Sequence, residues 1–143
     1  KIVRFHMGET TKKFSKKVKI VATEKFQIRH NALESCRVLV NRQLQAKLGP
    51  KGYHFYINVY PHHILRNNKM LSGAGADRMQ TGMSRAFGKT MGRSAIVKPG
   101  QVLYIIGVKN TKAEAEARKL IRSVKARLAC KTTTETIRAK IKA

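Results

Sequence analysis

Apolar and polar residues alternate along several stretches of this chain and recur every three or four positions along two others. Lys1 to Met7 sets Val3, Phe5 and Met7 on one side and Arg4 and His6 on the other, which predicts a short strand at a sheet edge. Lys16 to Thr23 repeats the alternation, with Val18 and Ile20 set between lysines, and Phe26 and Ile28 extend it. Tyr53 to Val59 is the clearest strand. Tyr53, Phe55, Ile57 and Val59 alternate with His54, Tyr56, Asn58 and Tyr60 before Pro61 interrupts the ladder. Ile64 and Leu65 resume an apolar run. Ser94 to Lys98 and Gln101 to Val108 read as two strands around a Pro99-Gly100 turn, proline fixing one φ and glycine allowing a positive one. The tail segment TTTETIRA predicts a last strand.

Two segments switch to the helical period. Asn31 heads the first, with Glu34 three residues on completing a predicted capping box. Leu33, Cys36, Val40 and Leu44 then fall on one face, Arg37, Arg42 and Lys47 largely on others, and Gly49-Pro50 ends the helix. Thr111 and Glu114 predict the same cap for a second helix. Its apolar stripe is Ala117, Leu120, Ile121, Val124 and Leu128, and Arg118, Lys119, Arg122, Lys125 and Arg127 make a basic face. The order β-β-α-β-loop-β-β-α-β predicts an α+β fold: a sandwich of a mainly antiparallel sheet with two helices packed on it and a long internal loop. The expectation is one domain over residues 1–143, as a fragment of a longer chain, because the sequence opens on Lys1 with no initiating Met.

That loop is the stretch Lys69 to Arg93, with five glycines, five Lys or Arg, and Asp77 as its only acid. It keeps neither period, so neither strand nor helix is favoured along it. Glycine and cations together let backbone amides and positive charge approach a polyanion closely. Charge over the whole chain points the same way. Thirty-one Lys and Arg face seven acids, a net charge of +24. Self-repulsion on this scale disfavours a free, compact protein, and nucleic acid is the usual compensating partner. Between Glu34 and Glu114 the only acid is Asp77, so the positive charge covers several elements instead of one tail.

Enzymatic readings fail on spacing. Gly88-Lys89-Thr90 suggests a phosphate loop, but the glycine required five residues earlier is Met83. After Gly73-Ala74-Gly75 the third glycine of a dinucleotide fingerprint is Arg78. Asp77 stands alone in its loop, and Ser72 and Ser84 have no base nearby in sequence. Cys36 and Cys130 lack metal spacing and read as reduced, partly buried thiols. The longest apolar run, Val102 to Val108, is too short to span a membrane. No catalytic residue, cofactor or metal is expected. Among the aromatics, Tyr53 and Phe55 read as core, Tyr56 and Tyr60 as core or base-stacking, and Phe87, between Arg85 and Lys89, as a stacking or wedge residue. Composition alone leaves open a free RNA- or tRNA-binding module.

A family resemblance narrows this. The run Tyr60-Pro61-His62-His63-Ile64-Leu65-Arg66-Asn67-Asn68-Lys69-Met70, then Gly75-Ala76-Asp77-Arg78, Gln80-Thr81-Gly82-Met83 and Ala86-Phe87-Gly88-Lys89, closely resembles the archaeal and eukaryotic L-ten-e branch of the L-sixteen ribosomal proteins. The resemblance implies a structural, non-catalytic component of the large ribosomal subunit in the cytoplasm, built as an α+β sandwich. It implies contact with large-subunit ribosomal RNA beside the aminoacyl-tRNA site, with neighbouring ribosomal proteins, and with tRNA in the aminoacyl and peptidyl sites. No cofactor, membrane or homo-oligomer is implied. The tRNA-facing loop would comprise Ser72, Gly73, Gly75, Asp77, Arg78, Gln80, Thr81, Gly82, Met83 and Arg85. Arg37, Arg42, Arg66, Lys69, Phe87, Lys89, Arg93, Arg118, Arg122 and Lys125 are the expected RNA-binding residues. The family's basic N-terminal extension is missing ahead of Lys1, and the resemblance weakens from about Cys130 onward.

Overall fold

The computed structural model describes residues 2–69, 73 and 82–138. Eight strands and two helices run in the order β1 (His6–Gly8), β2 (Lys16–Ala22), β3 (Phe26–Arg29), α1 (His30–Leu48), β4 (Tyr53–Ile57), β5 (His63–Asn67), β6 (Lys89–Val97), β7 (Val102–Val108), α2 (Thr111–Lys125) and β8 (Thr132–Arg138). The α+β class is as predicted, and every strand pairing is antiparallel. The pairings divide between a five-stranded sheet, β1-β4-β7-β2-β8, and a three-stranded sheet, β3-β6-β5.

Alternation decides which side of the larger sheet is covered. Val18 and Ile20 of β2, Tyr53, Phe55 and Ile57 of β4, and Tyr104, Ile106 and Val108 of β7 point inward and are buried. Phe55 stacks on Tyr104 at 5.6 Å between ring centroids. A register shift between Ile20 and Val21 breaks the alternation, so Val21 and Ala22 are buried in succession. Helix α1 buries Leu33, Cys36, Val40 and Leu44, the predicted stripe, and α2 buries Ala117, Leu120, Ile121 and Val124. Each such aliphatic side chain contributes about 1.5–3 kcal/mol on full burial. The two helices pack on each other, and α1 also touches β3, β4 and β6, so it joins the two sheets. Tyr104 reaches across this seam to donate its hydroxyl to the Leu33 carbonyl at 3.2 Å.

Four local expectations change. Neither capping box forms. Helix α1 begins at His30 and α2 follows Asn110, with no side-chain cap on either. Asn31 and Thr111 therefore lie inside the first turn and not at the cap, and Glu34 pairs with Arg37 and Glu114 with three cations. The first strand covers only His6–Gly8, and Val3 is exposed. Strands β6 and β7 do not form a hairpin. Their Pro99-Gly100 connection crosses between the sheets, where the Gly100 amide donates to the Ala22 carbonyl at 2.7 Å with φ of 81°. Finally, Lys89 to Arg93 is not loop. It is the first half of β6, paired against Ile64 to Asn67 of β5. Isolated glycines and cations hid this strand, and cross-strand pairing supplies what local propensity lacks.

Candidate nucleic-acid interface

The part of the glycine-rich stretch before Lys89 connects β5 to β6 in sequence, and its residues 70–72 and 74–81 lie outside the described residues. Its foot is tied down on the described side. The Arg66 guanidinium donates to the Ala86 carbonyl at 2.8 Å, the Asn68 amide to the Gly82 carbonyl at 3.1 Å, and the Phe87 amide closes a turn onto the Ser84 carbonyl at 3.0 Å. These bonds leave Met83, Arg85 and Phe87 exposed, Phe87 at 71%. Arg85 has φ of 53°, the left-handed region that a side chain other than glycine enters at a cost. Below the turn, Lys89 and Arg93 are exposed on β6. The Arg93 backbone is fastened to α1, since its amide donates to the His30 ring nitrogen Nδ1 at 3.0 Å. A cavity of about 340 Å³ opens here between Phe5, His30, Tyr60 and Arg93. Phe5 and Tyr60 are stacked at 5.4 Å, and His62 lies 4.6 Å from Tyr60. Tyr60 is therefore exposed beside a ring stack and is not core.

A second basic surface lies between α2 and the edge strand β8. Arg118, Arg122 and Lys125 repeat at helical spacing and face Thr132, Thr133, Thr134 and Thr136 across a groove of about 570 Å³. Arg118 is committed inside the protein. It donates to the Thr136 hydroxyl at 2.8 Å and pairs with Glu114 at 3.2 Å. Arg138 and Lys16 also converge on Glu114, at 3.3 and 3.6 Å, and this carboxylate is 3% exposed. Burial raises the Glu114 pKa, but the hydrogen bond from Arg138 and the charges of Arg138, Arg118 and Lys16 outweigh it, holding the carboxyl below its usual range. Among the described residues, Arg122 and Lys125 have no ion pair or side-chain hydrogen bond. The groove thus offers two uncommitted cations and a row of hydroxyls, a donor set suited to a phosphate chain.

Helix α1 contributes less than its sequence suggests. Arg37 is half-buried, with its guanidinium on Glu34 at 2.5 and 2.8 Å and a further contact to the Met7 sulfur at 3.4 Å. Lys47 pairs with Glu116 of α2. Arg42 is exposed. Cys36 and Cys130 are free thiols, both buried, and burial pushes Cys36 up to about 11. Among the described residues, no group of three His, Cys, Asp or Glu could hold a metal ion, and no helix is long and apolar enough to cross a membrane.

Exposed cations on an antiparallel α+β frame, around a glycine-rich turn, agree with comparison to known proteins. The profile of the family described as Ribosomal protein L16p/L10e matches residues 1–135. The chain belongs to this family. A large ribosomal subunit protein uL16 from Staphylothermus marinus is 43% identical over 128 residues, covering 90% of this chain and 73% of the relative. The uL16 of Hyperthermus butylicus is 49% identical over 109 residues, 76% of this chain and 61% of the relative. That of Methanococcus maripaludis strain S2 is 46% identical over 132 residues, 92% and 76%. The chain therefore spans between about three fifths and three quarters of the length of these relatives. The L16p/L10e family is a structural, non-enzymatic family of the large ribosomal subunit.

Within this L16p/L10e chain the expected residues fall into three groups. Arg66, Phe87, Lys89 and Arg93 gather with Gly82, Met83 and Arg85 on one hairpin, next to Lys69, while Gly73 is an exposed glycine with φ of 125°. Arg118, Arg122 and Lys125 share the α2 groove, and Arg37 and Arg42 lie on α1. Ser72, Gly75, Asp77, Arg78, Gln80 and Thr81 lie outside the described residues. Sequence reading missed the β8 threonines and His30. The alternation in TTTETIRA put Thr132, Thr134 and Thr136 on one strand face, but that α2 lies beside it is a tertiary fact. His30 had no signal, because its partner is a backbone amide 63 residues away.

Proposed function

We propose that this protein is a structural constituent of the cytoplasmic large ribosomal subunit. In this reading it binds ribosomal RNA beside the aminoacyl-tRNA site and directs its β5–β6 turn toward tRNA and the peptidyl transferase centre. It supports translation and late subunit assembly, alongside neighbouring ribosomal proteins. The observation that carries this reading is the anchored hairpin. Arg66 and Asn68 tie the two described sides of the turn together, and beside these bonds Arg85, Phe87 and Lys89 are exposed, with no ion pair from the cations to any described acid. The strained Arg85 backbone supports it, since such conformations persist where the surroundings hold them for a purpose. The groove residues Arg122 and Lys125 would hold RNA phosphates between α2 and β8.

The test separates the turn from the body. In cells whose own copy is replaced by Arg78→Ala or Arg85→Ala variants, the protein should sediment with the large subunit after a high-salt wash. Joining of subunits or tRNA accommodation should be impaired. Arg85→Gly, which removes the guanidinium and the backbone strain together, should be as impaired as Arg85→Ala. Normal translation in all three variants would refute the assignment of the turn. Release of the unaltered protein to the top of the gradient would instead favour a free RNA-binding factor.

A further inference from the structure

We propose that the helix-free face of the five-stranded sheet is a separate RNA site, which takes one unpaired base and its flanking phosphates. It uses none of the hairpin or groove residues. Only the class of its ligand rests on the RNA-binding reading above.

The face is built by register. Opposite the buried row of β4 stand His54 and Tyr56, and pairing sets Gly107 and Ile105 of β7 directly beside them. Lys17 of β2 lies beyond Gly107. The connection before β2 folds back over this surface and buries Phe14 against Gly107, where an added Cβ would lie 3.2 Å from the Phe14 Cβ. Between this flap and β4 remains a cavity of about 530 Å³ with Tyr56, His54 and Ile105 on its walls and Lys12, Lys13 and Lys17 at its mouth. That volume lies within the range of roughly 300–1,000 Å³ seen for small-molecule clefts.

The ring wall is already assembled. Tyr56 stacks on His6 of β1 at 4.4 Å, His6 stacks on His54 at 5.6 Å, and the His6 and His54 ring nitrogens are 3.3 Å apart. Burial, with His6 and Lys17 nearby, holds His54 below the usual histidine range. A neutral ring with one donor and one acceptor nitrogen suits a base edge. Among the described residues, no acid lines the cavity. Glu9, on the same connection, is taken by Thr11, and Glu135 sits two strands from Ile105 opposite Lys19. Aromatic walls behind a purely cationic mouth match a base with phosphates on either side. A duplex keeps its bases stacked inside and cannot lay one on a recessed ring. An unpaired nucleotide can.

The test uses the whole chain and two RNA hairpins. One is fully paired and the other has a single bulged 2-aminopurine, and binding is followed at about 0.3 M KCl, where the screening length is below ~8 Å. The unaltered protein should prefer the bulged RNA by about tenfold and quench its fluorescence, as expected of one base–aromatic stack. Tyr56→Leu, which keeps an apolar wall and removes the ring, should abolish the preference and the quenching. The surface variant Lys12→Gln with Lys13→Gln should weaken bulged and paired binding unequally, the bulged more. Equal affinity for the two RNAs, or a preference unchanged in Tyr56→Leu, overturns the proposal and leaves general RNA binding intact. Failure to bind either RNA overturns both. A face covered by a neighbouring protein would show no discrimination and counts against it.

Discussion

The α2–β8 groove allows the contribution of each cation to be predicted separately. Three basic residues line it, but they are not equivalent. Arg118 is held by Glu114 and Thr136, whereas Arg122 and Lys125 have no such partner among the described residues. A cation already neutralised inside the protein releases little counterion when it meets a phosphate. Each uncommitted contact should steepen the dependence of log affinity on log salt by about 0.9 on duplex RNA, taking the value for B-form DNA, and by about 0.7 on single strands. Changing both Arg122 and Lys125 to Gln should therefore flatten the slope by roughly 1.4–1.8. Across a fourfold change in salt one contact at 0.9 corresponds to a factor of about 3.5, so the two together account for about a twelvefold difference in affinity. Arg118→Gln should change the slope by less than half as much as either of the others. Fluorescence anisotropy with a labelled fragment of large-subunit RNA, titrated at several KCl concentrations, reads this directly. An unchanged slope in the double variant would mean that these cations face only water. A slope change in Arg118→Gln equal to that in Arg122→Gln would refute the distinction drawn from Glu114.

Two further predictions concern the body of the protein. Glu114→Gln leaves three cations without their carboxylate and should cost about 1–2 kcal/mol, less than buried charge-assisted bonds allow because Arg118 and Arg138 are mostly exposed. Because the folded carboxyl titrates below its ordinary value near 4.5, its contribution is present above that pH and disappears as pH falls through the lower folded value. Denaturant midpoints should therefore show the gap between the two proteins closing below about pH 4.5; a gap that persists to pH 2 would contradict the assigned ionisation. Cys36, buried and with a pKa of about 11, should resist a thiol reagent at pH 8 in the folded protein and react at the rate at which the core opens. Stoichiometric labelling within seconds in the absence of denaturant would show that α1 does not seal its stripe.

Much of the frame was legible because periodicity reports burial directly. The α1 stripe Leu33, Cys36, Val40 and Leu44 and the alternation of β4 were read correctly because each depends on one element facing one core. The errors came at element ends, where the helix N-caps fall one or two residues before the predicted caps, and where the partner strand lay elsewhere in the chain. Glu34 and Glu114 carried cap spacing but pair with cations, and Arg138 is 24 residues from Glu114. The Pro99-Gly100 turn was correctly placed, yet its neighbours belong to different sheets, because a turn sets local direction and not the partner strand. The basic residues were legible as a set and not as individuals. Arg37, Arg118 and Arg122 stood equal as expected RNA-binding residues, and only the positions of Glu34 and Glu114 distinguish the first two from the last.

Those acids explain how a chain of net charge +24 holds a compact fold. They are not spread to dilute the surface charge. Glu114 ties α2 to β2 and β8 through Lys16 and Arg138, and Glu116 ties α2 to α1 through Lys47. Glu24 receives the Lys131 amide at the start of β8, and Glu34 holds Arg37 on the flank of α1. Four of the six described acids thus act at junctions or along a packed helix, each tied to a cation or a backbone amide of a neighbouring segment. Among the described residues, Lys and Arg outnumber acids on the outer surfaces of the hairpin, the groove and the open sheet face. Repulsion among those surfaces is long-ranged and falls with added salt, whereas the paired acids are partly screened from solvent and less sensitive to it. The arrangement concentrates favourable charge pairing in the seams and leaves the remaining repulsion to be relieved by phosphate from outside, which makes the same residues that destabilise the free chain the ones that bind RNA.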